Sequence, residues 1–297
     1  MTKIKESRGD RSFGLINLFT VTFLMLIVLY PLIYILSSSV SNPNFVGLGK
    51  VWLYPRGFTL DGYIRVFMDK NIMIGYGNTI FYTVFGTLLN LLLTLTSGYA
   101  ISKRTLPGRG LILSFFIFTM YFSGGLIPTF LLIRNLGLID TRLVLIISGA
   151  ISIYNMIVAS TFFQNTPKDL EDAALIDGCT VTQTFVLIIL PLSKALIGVM
   201  VLYYGVAHWN SYFDALIYIT DVNKKPLQIF LRQILITEQM SQAMAGQVSD
   251  EKLFEMEQLK HLLKYAVIIV SSLPVLIIYP FLQKYFDKGV MLGSLKG

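Results

Sequence analysis

The chain has few of the side chains from which enzymes and metal centres are built. Its 297 residues include one cysteine and two histidines. A single thiol, Cys179, excludes an internal disulfide and a thiolate metal cluster. His208 and His261 are far apart in the sequence, and there is no H-E-x-x-H motif and no pair of catalytic carboxylates. We therefore predict that this chain has no catalytic residues, no metal ligands and no cofactor-binding residues.

Charged residues are also scarce. Only 14% of the residues are charged, 54% are hydrophobic, and the mean hydropathy is +0.66. These values are typical of integral membrane proteins. The net charge of +7 comes from basic residues scattered between apolar runs. No basic face with interleaved aromatics is present, so we expect no nucleic-acid partner and attribute the charge to orientation in a bilayer. The chain also lacks a G-x-x-x-x-G-K-[ST] loop, so we do not expect it to bind ATP through a P-loop.

Six apolar runs follow one another along the chain, each long enough to cross ~30 Å of hydrocarbon. They occupy residues 13–36, 76–101, 111–133, 143–163, 186–207 and 262–282. We predict an all-α integral membrane protein with six transmembrane helices. Gly124, Gly125 and Pro128 are expected to break the third span, and Pro191 to kink the fifth. The first run is too long for the apolar region of a signal peptide and lacks an A-x-A cleavage site, so it is expected to remain uncleaved.

The positions of the basic residues predict the orientation of the spans. Lysine and arginine are about equally numerous on the two sides, but the cytoplasmic segments are much shorter, and two of them decide the orientation through Lys3, Lys5, Arg8, Arg11, Lys103, Arg104 and Arg109. Short segments rich in lysine and arginine stay in the cytoplasm. We therefore predict a cytoplasmic tail at 1–12, a membrane domain at 13–282 with a long external loop at 208–261, and a cytoplasmic tail at 283–297. Six spans place both termini on the same side.

A polar segment at 166–185 lies between the fourth and fifth spans. Thr166 is predicted to cap a short helix, with Pro167 as its first residue and Asp169 completing a capping box. A helix of about a dozen residues is marginal alone in water. We therefore expect this helix to dock on another protein on the cytoplasmic side of the membrane.

The same segment contains signals for a break and a second helix. Gly178 is predicted to end the first helix in the left-handed conformation. Thr180 and Gln183 repeat the capping-box pattern and are predicted to begin the next helix. Cys179, between them, is interpreted as a small packing residue.

The predicted spans contain almost no ionisable residues. Lys194, near the start of the fifth span, is an exception. Carriers coupled to protons or sodium usually need buried acids, histidines or unwound backbone at the middle of the membrane. This composition argues against a self-contained secondary carrier or channel and favours a partner that supplies energy through the docking helix.

The docking segment resembles the cytoplasmic loop of the permease subunits of bacterial ATP-binding-cassette (ABC) importers. The pattern of that loop is E-A-A, three variable residues and G, with L-P about a dozen residues later. Here the pattern is Glu171, Asp172 and Ala173, followed by Gly178 and by Leu-Pro at 190–191. Asp172 replaces an alanine of the pattern, which we interpret as tolerated variation.

Three further segments resemble the carbohydrate branch of this family, close to the maltose-type second permease. They are GGLIPTFLLIRNLGLIDT at 124–141, HWNSYFDALIYI at 208–219 and PFLQKYFDKGVMLGSLKG at 280–297. The segment KPLQIFLRQIL at 225–235 resembles a subgroup that imports oligosaccharides from complex polysaccharides. An importer of a peptide, amino acid or polyamine is the alternative, and the segments at 208–219 and 280–297 disfavour it.

The resemblance implies a permease subunit in the bacterial plasma membrane that takes part in importing carbohydrate, an oligosaccharide in particular. Its implied partners are a second homologous permease, an external solute-binding protein, the sugar, membrane lipid and a cytoplasmic ATPase dimer that holds ATP and Mg. Closure of the ATPase dimer would pull the coupling helices together and turn the pathway outward. The implied contacts to the ATPase are Glu171, Asp172, Ala173, Ala174, Asp177 and Gly178. The simpler alternative for Glu171 is an acid favoured by the helix dipole.

Six residues are candidates for the sugar path, because sugars pack on aromatic faces and need a few well-placed hydrogen bonds. They are Tyr121, Phe122, Trp209, Asn210, Tyr212 and Asp214. The alternative for the aromatic residues is an interfacial belt at the ends of the spans. The tail at 289–297 either contacts the ATPase or is a frayed terminus.

Overall fold

The computed structural model of the protein describes residues 8–234, 263–281 and 283. Within these ranges the chain is mainly helical, and the β-bridge between Ser41 and Phe58 joins two loop residues. The chain divides into two compact units. One comprises Met1–Asp69 and Leu231–Ser272, and the other comprises Lys70–Phe230 and Leu273–Gly297. Residues 235–261 of the predicted loop at 208–261 and residues 284–297 of the predicted tail lie outside the described residues.

The first unit begins with a long apolar helix, α1 (Arg8–Ser39). Within the described residues of this chain, none of its most apolar window is buried. A helix segment that is apolar all round and exposed along this window is suited to lipid. Its 32 residues exceed the length needed to cross the hydrocarbon core, which confirms an apolar helix at the first predicted span.

Two short helices follow in this unit, α2 (Pro43–Gly47) and α3 (Asp61–Met68). Val46 and Val51 pack with Tyr265 to form a small core, on which Tyr34 and Ile35 also pack. This core fixes the loop that connects α2 to α3.

The second unit is built around α4 (Lys70–Ser102), which coincides with the second predicted span. This helix packs mainly against α8 (Ile153–Gln164) and α12 (Lys194–Trp209). The buried face of α4 carries small and polar side chains, which allows the neighbouring helices to approach closely. Gly98 illustrates this, because a Cβ built on it would lie 2.9 Å from the Cβ of Ala159.

The third predicted span is broken, as expected from its glycines. It consists of α5 (Arg109–Tyr121) and α6 (Leu126–Asn135), which are bent by 112° with respect to each other. The break lies at residues 122–125, whereas Pro128 lies inside α6. A proline in the first turn of a helix removes an N–H that would have no partner there, so Pro128 does not interrupt α6.

The prediction of one continuous fourth span at 143–163 is wrong. The structure has two helices there, α7 (Arg142–Ile147) and α8, separated by residues 148–152. The carbonyls of Gly149 and Ala150, which a continuous helix would pair internally, accept hydrogen bonds from Asn90 of α4. Hydropathy does not reveal such a break, because the broken segment remains apolar.

The remaining elements run from the docking segment to the last span. They are α9 (Lys168–Ile176), α10 (Val181–Thr184), a π-helical turn (Phe185–Ile189), α11 (Leu190–Leu192), α12, α13 (Phe213–Tyr218), a 3-10 turn (Val222–Lys224), α14 (227–234) and α15 (Leu263–Phe281). The segment Val181–Leu192 is bent by 81° with respect to α12. The prediction of a kink in the fifth span near Pro191 is confirmed.

Among the residues that the structure describes, three helices are long and apolar enough to cross a membrane. If each of the two bent pairs is counted as one span, the number becomes five. The all-α class is confirmed for this part of the chain. The count of six spans stays a prediction, because the fourth consists of two short helices.

Candidate functional site

The end of α9 has the geometry that the sequence predicts. Gly178 has a φ of +80°, which is in the left-handed region where glycine is favoured. Its N–H donates to the carbonyl of Leu175 (3.1 Å), and the N–H of Cys179 donates to the carbonyl of Ala174 (2.9 Å). These two bonds form a Schellman motif, which satisfies the last carbonyls of the helix. The prediction that Gly178 ends α9 is confirmed.

The two predicted capping boxes have different outcomes. At the second, the N–H of Gln183 donates to Thr180 Oγ1 (3.3 Å), and the N–H of Thr180 donates to Gln183 Oε1 (2.8 Å), as expected. The first box is wrong, because α9 begins at Lys168, with Pro167 as its N-cap and no capping side chain. The N–H of Thr166 instead bonds the carbonyl of Phe163 at the end of α8, so that residue belongs to the preceding turn.

The candidate coupling residues of α9 fall into two sets. Glu171 is half-buried, and Ala174 is the one buried residue of the helix. These two lie three positions apart and therefore on the same face. Asp172, Ala173, Asp177 and Gly178 are exposed. The structure thus directs two of the six candidates inward and leaves the other four accessible.

Glu171 is paired within this chain. Its carboxylate accepts a hydrogen bond from the ammonium group of Lys103, which directly follows α4. The Lys103 nitrogen also lies 4.2 Å from the ring centroid of Tyr99, a cation–π distance. Tyr99 packs in turn against Phe163 and Phe185, with ring centroids 5.6 and 4.7 Å away. The pair therefore fixes α9 to the end of α4 and to an aromatic cluster at the ends of α8 and the π-helical turn.

A second polar network lies at the other end of α4. Asp140 Oδ1 accepts from the N–H groups of Thr220 (3.1 Å) and Asp221 (3.0 Å). Lys224 Nζ donates to the carbonyl of Asp140 (2.8 Å), and the hydroxyl of Tyr82 on α4 donates to the carbonyl of Lys224 (2.7 Å). The network joins the turn before α7 to the segment after α13. Both segments belong to the loops that the sequence predicts to be external.

Acidification is expected to loosen this network. The N–H of Asp221, followed by that of Thr220, holds the pKa of the Asp140 carboxyl below its usual value. A carboxyl group with a lowered folded-state pKa stabilises the fold above its unfolded pKa, and that stabilisation is lost as the pH falls through the folded-state pKa. We expect the amides of Thr220 and Asp221 to lose hydrogen-exchange protection below about pH 4.

The control for this measurement is Asp140→Asn, which keeps an acceptor oxygen and does not titrate. Protection factors, corrected for intrinsic exchange rates, should depend less on pH in this variant between pH 3 and 6, because the Asp221 carboxyl, whose pKa is also lowered, still titrates there. Equal pH dependence in the wild type and the variant would contradict the role given to Asp140.

The candidate sugar-path residues lie in two sets on different elements. Tyr121 ends α5 and Phe122 follows it in the break, and their side chains are 80% and 67% exposed. Phe122 stacks on Phe118, with ring centroids 5.1 Å apart. This first set remains accessible, as a sugar contact or an interfacial aromatic would require.

The second set surrounds the junction of α12 and α13. Trp209 is buried, packs edge-on against Tyr76 (5.7 Å between centroids) and lines an apolar cavity of about 290 Å³. Asn210 donates to the carbonyl of Val206 (3.0 Å). The remaining two candidates are Tyr212, which is exposed, and Asp214, whose carboxylate accepts from Ser148 Oγ (3.3 Å). Burial gives Trp209 a packing role in this conformation, and the sugar-path role of the set stays a prediction.

Sequence reasoning missed a buried polar cluster between α4, α12 and the break in the fourth predicted span. Asn90 is 1% exposed and donates to the carbonyls of Gly149 (2.9 Å) and Ala150 (2.8 Å). Its Oδ1 lies 2.6 Å from His208 Nε2, so the ring nitrogen donates. A lone asparagine within an apolar run was the available signal, because polar groups inside membranes need internal partners.

These features define a helical membrane protein in which a short, largely exposed helix, α9, lies between apolar segments. In a comparison with protein families, residues 95–292 match the model of the binding-protein-dependent transport system inner membrane component. The chain belongs to this family. The matched range includes the whole of α9 and α12.

Two individual proteins are similar to this chain over nearly its whole length. The chain is 39% identical over 292 residues to the protein LplC of Bacillus subtilis (strain 168), covering 98% of this chain and 97% of the relative. It is 41% identical over 279 residues to the polygalacturonan/rhamnogalacturonan transport system permease protein YtcP of the same organism, covering 94% and 96%.

A solved structure matches the fold along nearly the whole chain. It belongs to a bacterial ABC transporter involved in the import of the acidic polysaccharide alginate. The TM-score is 0.85 at 34% identity, covering 96% of this chain and 100% of the matched chain.

Proposed function

We propose that this chain is a permease subunit of an ATP-driven, binding-protein-dependent importer of carbohydrate, and of oligosaccharides in particular. Support comes from YtcP, named for polygalacturonan and rhamnogalacturonan, and from the alginate transporter. The chain takes part in transport and does not catalyse a reaction. ATP and Mg bind to a separate ATPase dimer, and a second permease and a solute-binding protein complete the assembly.

The exposure pattern of α9 is the observation that carries this proposal. The side chains of Leu175 and Ile176 are 55% and 86% exposed at the end of a helix that buries only Ala174. A Cβ built on Gly178 would have no atom within 4 Å, so the turn is open as well. An exposed apolar end on a nine-residue helix is suited to a groove on a partner. The ATPase would contact this outward face, which includes Asp172, Ala173, Asp177 and Gly178.

The contacts between loops at the two ends of α4 support the proposed orientation. The ion pair of Lys103 and Glu171 joins the two loops predicted to be cytoplasmic. The network of Asp140 joins two segments predicted to be external. The two sets of contacts lie at opposite ends of α4. This agrees with a protein of the bacterial plasma membrane that has both termini in the cytoplasm.

Replacing Ile176 with aspartate tests the docking surface. We expect Ile176→Asp to release the ATPase subunits during purification while the two permeases stay assembled, because a charge cannot enter an apolar groove without a partner. Retained ATPase is measured by quantitative gel analysis, and ATP-dependent sugar uptake is measured in proteoliposomes. The conservative variant Ile176→Leu should retain both.

Undiminished ATPase binding and uptake in Ile176→Asp would contradict the docking role of α9. Concentrative sugar uptake by the chain alone, in vesicles without ATP, would overturn the proposed function as a whole.

A further inference from the structure

The loop between α2 and α3 is held in a fixed conformation. Ser37 Oγ donates to the carbonyl of Leu53 (2.7 Å). The N–H of Asn42 donates to the carbonyl of Arg56 (3.0 Å), and the N–H of Arg56 donates to Ser41 Oγ (3.0 Å). Three hydrogen bonds therefore tie the loop, at Leu53 and Arg56, to the end of α1 and the residues that follow it. Such a loop displays its side chains in a preorganised arrangement.

This loop exposes large aromatic side chains beside two cations. Trp52 and Tyr54 are 67% and 81% exposed, and Lys50 and Arg56 are exposed as well. Together with Gly49 and Leu53, these residues line a cavity of about 460 Å³, here called the aromatic–cationic cavity. A concave site lined by aromatic faces and a few charged groups is typical of a small-molecule site.

The aromatic–cationic cavity carries two positive charges, those of Lys50 and Arg56. Within the part of the chain that the structure describes, Lys50 and Arg56 form no ion pair. Residues 41–60 contain no aspartate or glutamate. Nearby positive charges with no acid between them favour an anionic ligand, and the arginine fork suits a carboxylate in particular.

We propose that the aromatic–cationic cavity binds an anionic oligosaccharide, a sugar chain that carries carboxylates, on its way to the transport pathway. The apolar faces of the sugar rings stack on Trp52 and Tyr54, and the carboxylates pair with Lys50 and Arg56. A neutral sugar would not need the two cations. A lipid headgroup would need neither a concave shape nor a loop tied by three hydrogen bonds. The inference rests on the proposed function, because in that orientation this loop lies outside the cell.

The test uses the assembled transporter in proteoliposomes and two probes that differ only in charge. They are trigalacturonate and its fully methyl-esterified form, which has the same rings without ionised carboxylates. We expect the double variant Lys50→Gln, Arg56→Gln to raise the apparent KM for trigalacturonate about tenfold, as expected for losing charge-assisted hydrogen bonds. The maximal rate and the uptake of the ester should stay within about twofold of the wild type.

Two single variants complete this set. Trp52→Ala should raise the apparent KM for both probes, because stacking does not depend on the carboxylates. Arg65→Gln removes an exposed cation on α3 outside the cavity. This variant should leave the apparent KM for both probes unchanged.

A direct binding measurement separates failure of this inference from failure of the proposed function. The chain contains two tryptophans, and Trp209 is buried. Trigalacturonate should quench the fluorescence of the purified full-length chain, and Trp52→Phe should remove this quenching. If the wild-type transporter takes up no oligosaccharide but quenching occurs, the proposed function fails and the saccharide site stands. Absence of quenching in the wild type would overturn the site itself.

The same experiments distinguish the saccharide from two other possible ligands of the cavity, a lipid and the solute-binding protein. The cavity contacts lipid if the double variant slows the uptake of both probes equally. In that case the loss of uptake should depend on the phosphatidylglycerol content of vesicles otherwise made of phosphatidylcholine. If the double variant weakens docking of the sugar-free binding protein, the cavity belongs to a protein interface. Either result would overturn the proposal.

Discussion

Reversing the charge of Lys103 is expected to lower ATP-driven sugar uptake at least tenfold. Its ion pair with Glu171 is the one charged contact of α9 among the residues that the structure describes, and the two side chains are only 28% and 21% exposed. Breaking a partly buried pair leaves a carboxylate without its donor, at a cost of about 1–3 kcal/mol. In Lys103→Glu two carboxylates would face each other, and α9 would lose its attachment to the end of α4. Closure of the ATPases would then move α9 without moving α4.

The informative measurement is the coupling of ATP hydrolysis to transport. In Lys103→Glu and in Glu171→Lys, stimulation of ATP hydrolysis by the sugar-loaded binding protein should be lost together with uptake, while basal hydrolysis remains. The double variant, Lys103→Glu with Glu171→Lys, should recover a large part of both, because the opposite charges face each other again. Folding defects alone would not give such recovery.

The matched control is Arg104→Glu, which reverses an exposed cation next to Lys103. Uptake in this variant should stay within about twofold of the wild type, as is usual for exposed charges. If the double variant is as inactive as the single ones, Lys103 and Glu171 act through separate partners. In that case the loss of uptake in Glu171→Lys would be better explained by a contact between Glu171 and a basic residue of the ATPase. The sequence pattern favours such a contact.

Replacing Gly86 with alanine is expected to destabilise the second unit strongly. A Cβ at this position would lie 2.4 Å from Cε1 and 2.5 Å from Nε2 of His208. His208 is held there by Asn90, which also satisfies the broken segment before α8. The added methyl group would either force α4 and α12 apart or push the imidazole away from the amide. Overpacking costs about 1–3 kcal/mol, and an unsatisfied buried polar group costs a similar amount.

The same helix provides the control for this substitution. A Cβ on Gly77 would have no atom within 4 Å, so Gly77→Ala should be neutral or stabilise the helix by up to ~1 kcal/mol. Thermal unfolding of the purified protein in detergent should show a midpoint lower by several degrees for Gly86→Ala than for Gly77→Ala. Equal midpoints would mean that His208 can move away freely.

The sequence predicted the local features of the docking segment well. The turn at Gly178 and the capping box of Thr180 are made by atoms three to five residues apart, so the sequence contains both partners. The capping box predicted at Thr166 was wrong for a related reason. Two adjacent helices compete for that residue, and the end of α8 takes its N–H.

The sequence could not predict the partners that come from distant parts of the chain. Glu171 and Lys103 are 68 residues apart, and Asn90 is 59 residues from Gly149. The pattern of the coupling segment directed attention to Glu171 as a contact for another protein, and the structure pairs it within the chain. Hydropathy likewise predicted a continuous fourth span, because it cannot show that a distant amide satisfies the carbonyls of a break.

The sequence by itself determined that this is a helical membrane protein, where its apolar segments lie and where α9 ends. These properties depend on composition, on the lengths of the apolar runs and on hydrogen bonds between residues close in sequence. The linear sequence already contains this information. Only the tertiary structure decided which side of α9 is accessible, what holds Glu171 and where the fourth segment breaks. Those properties depend on side chains that meet only after helices pack, when each buried polar group must find a partner in another part of the fold.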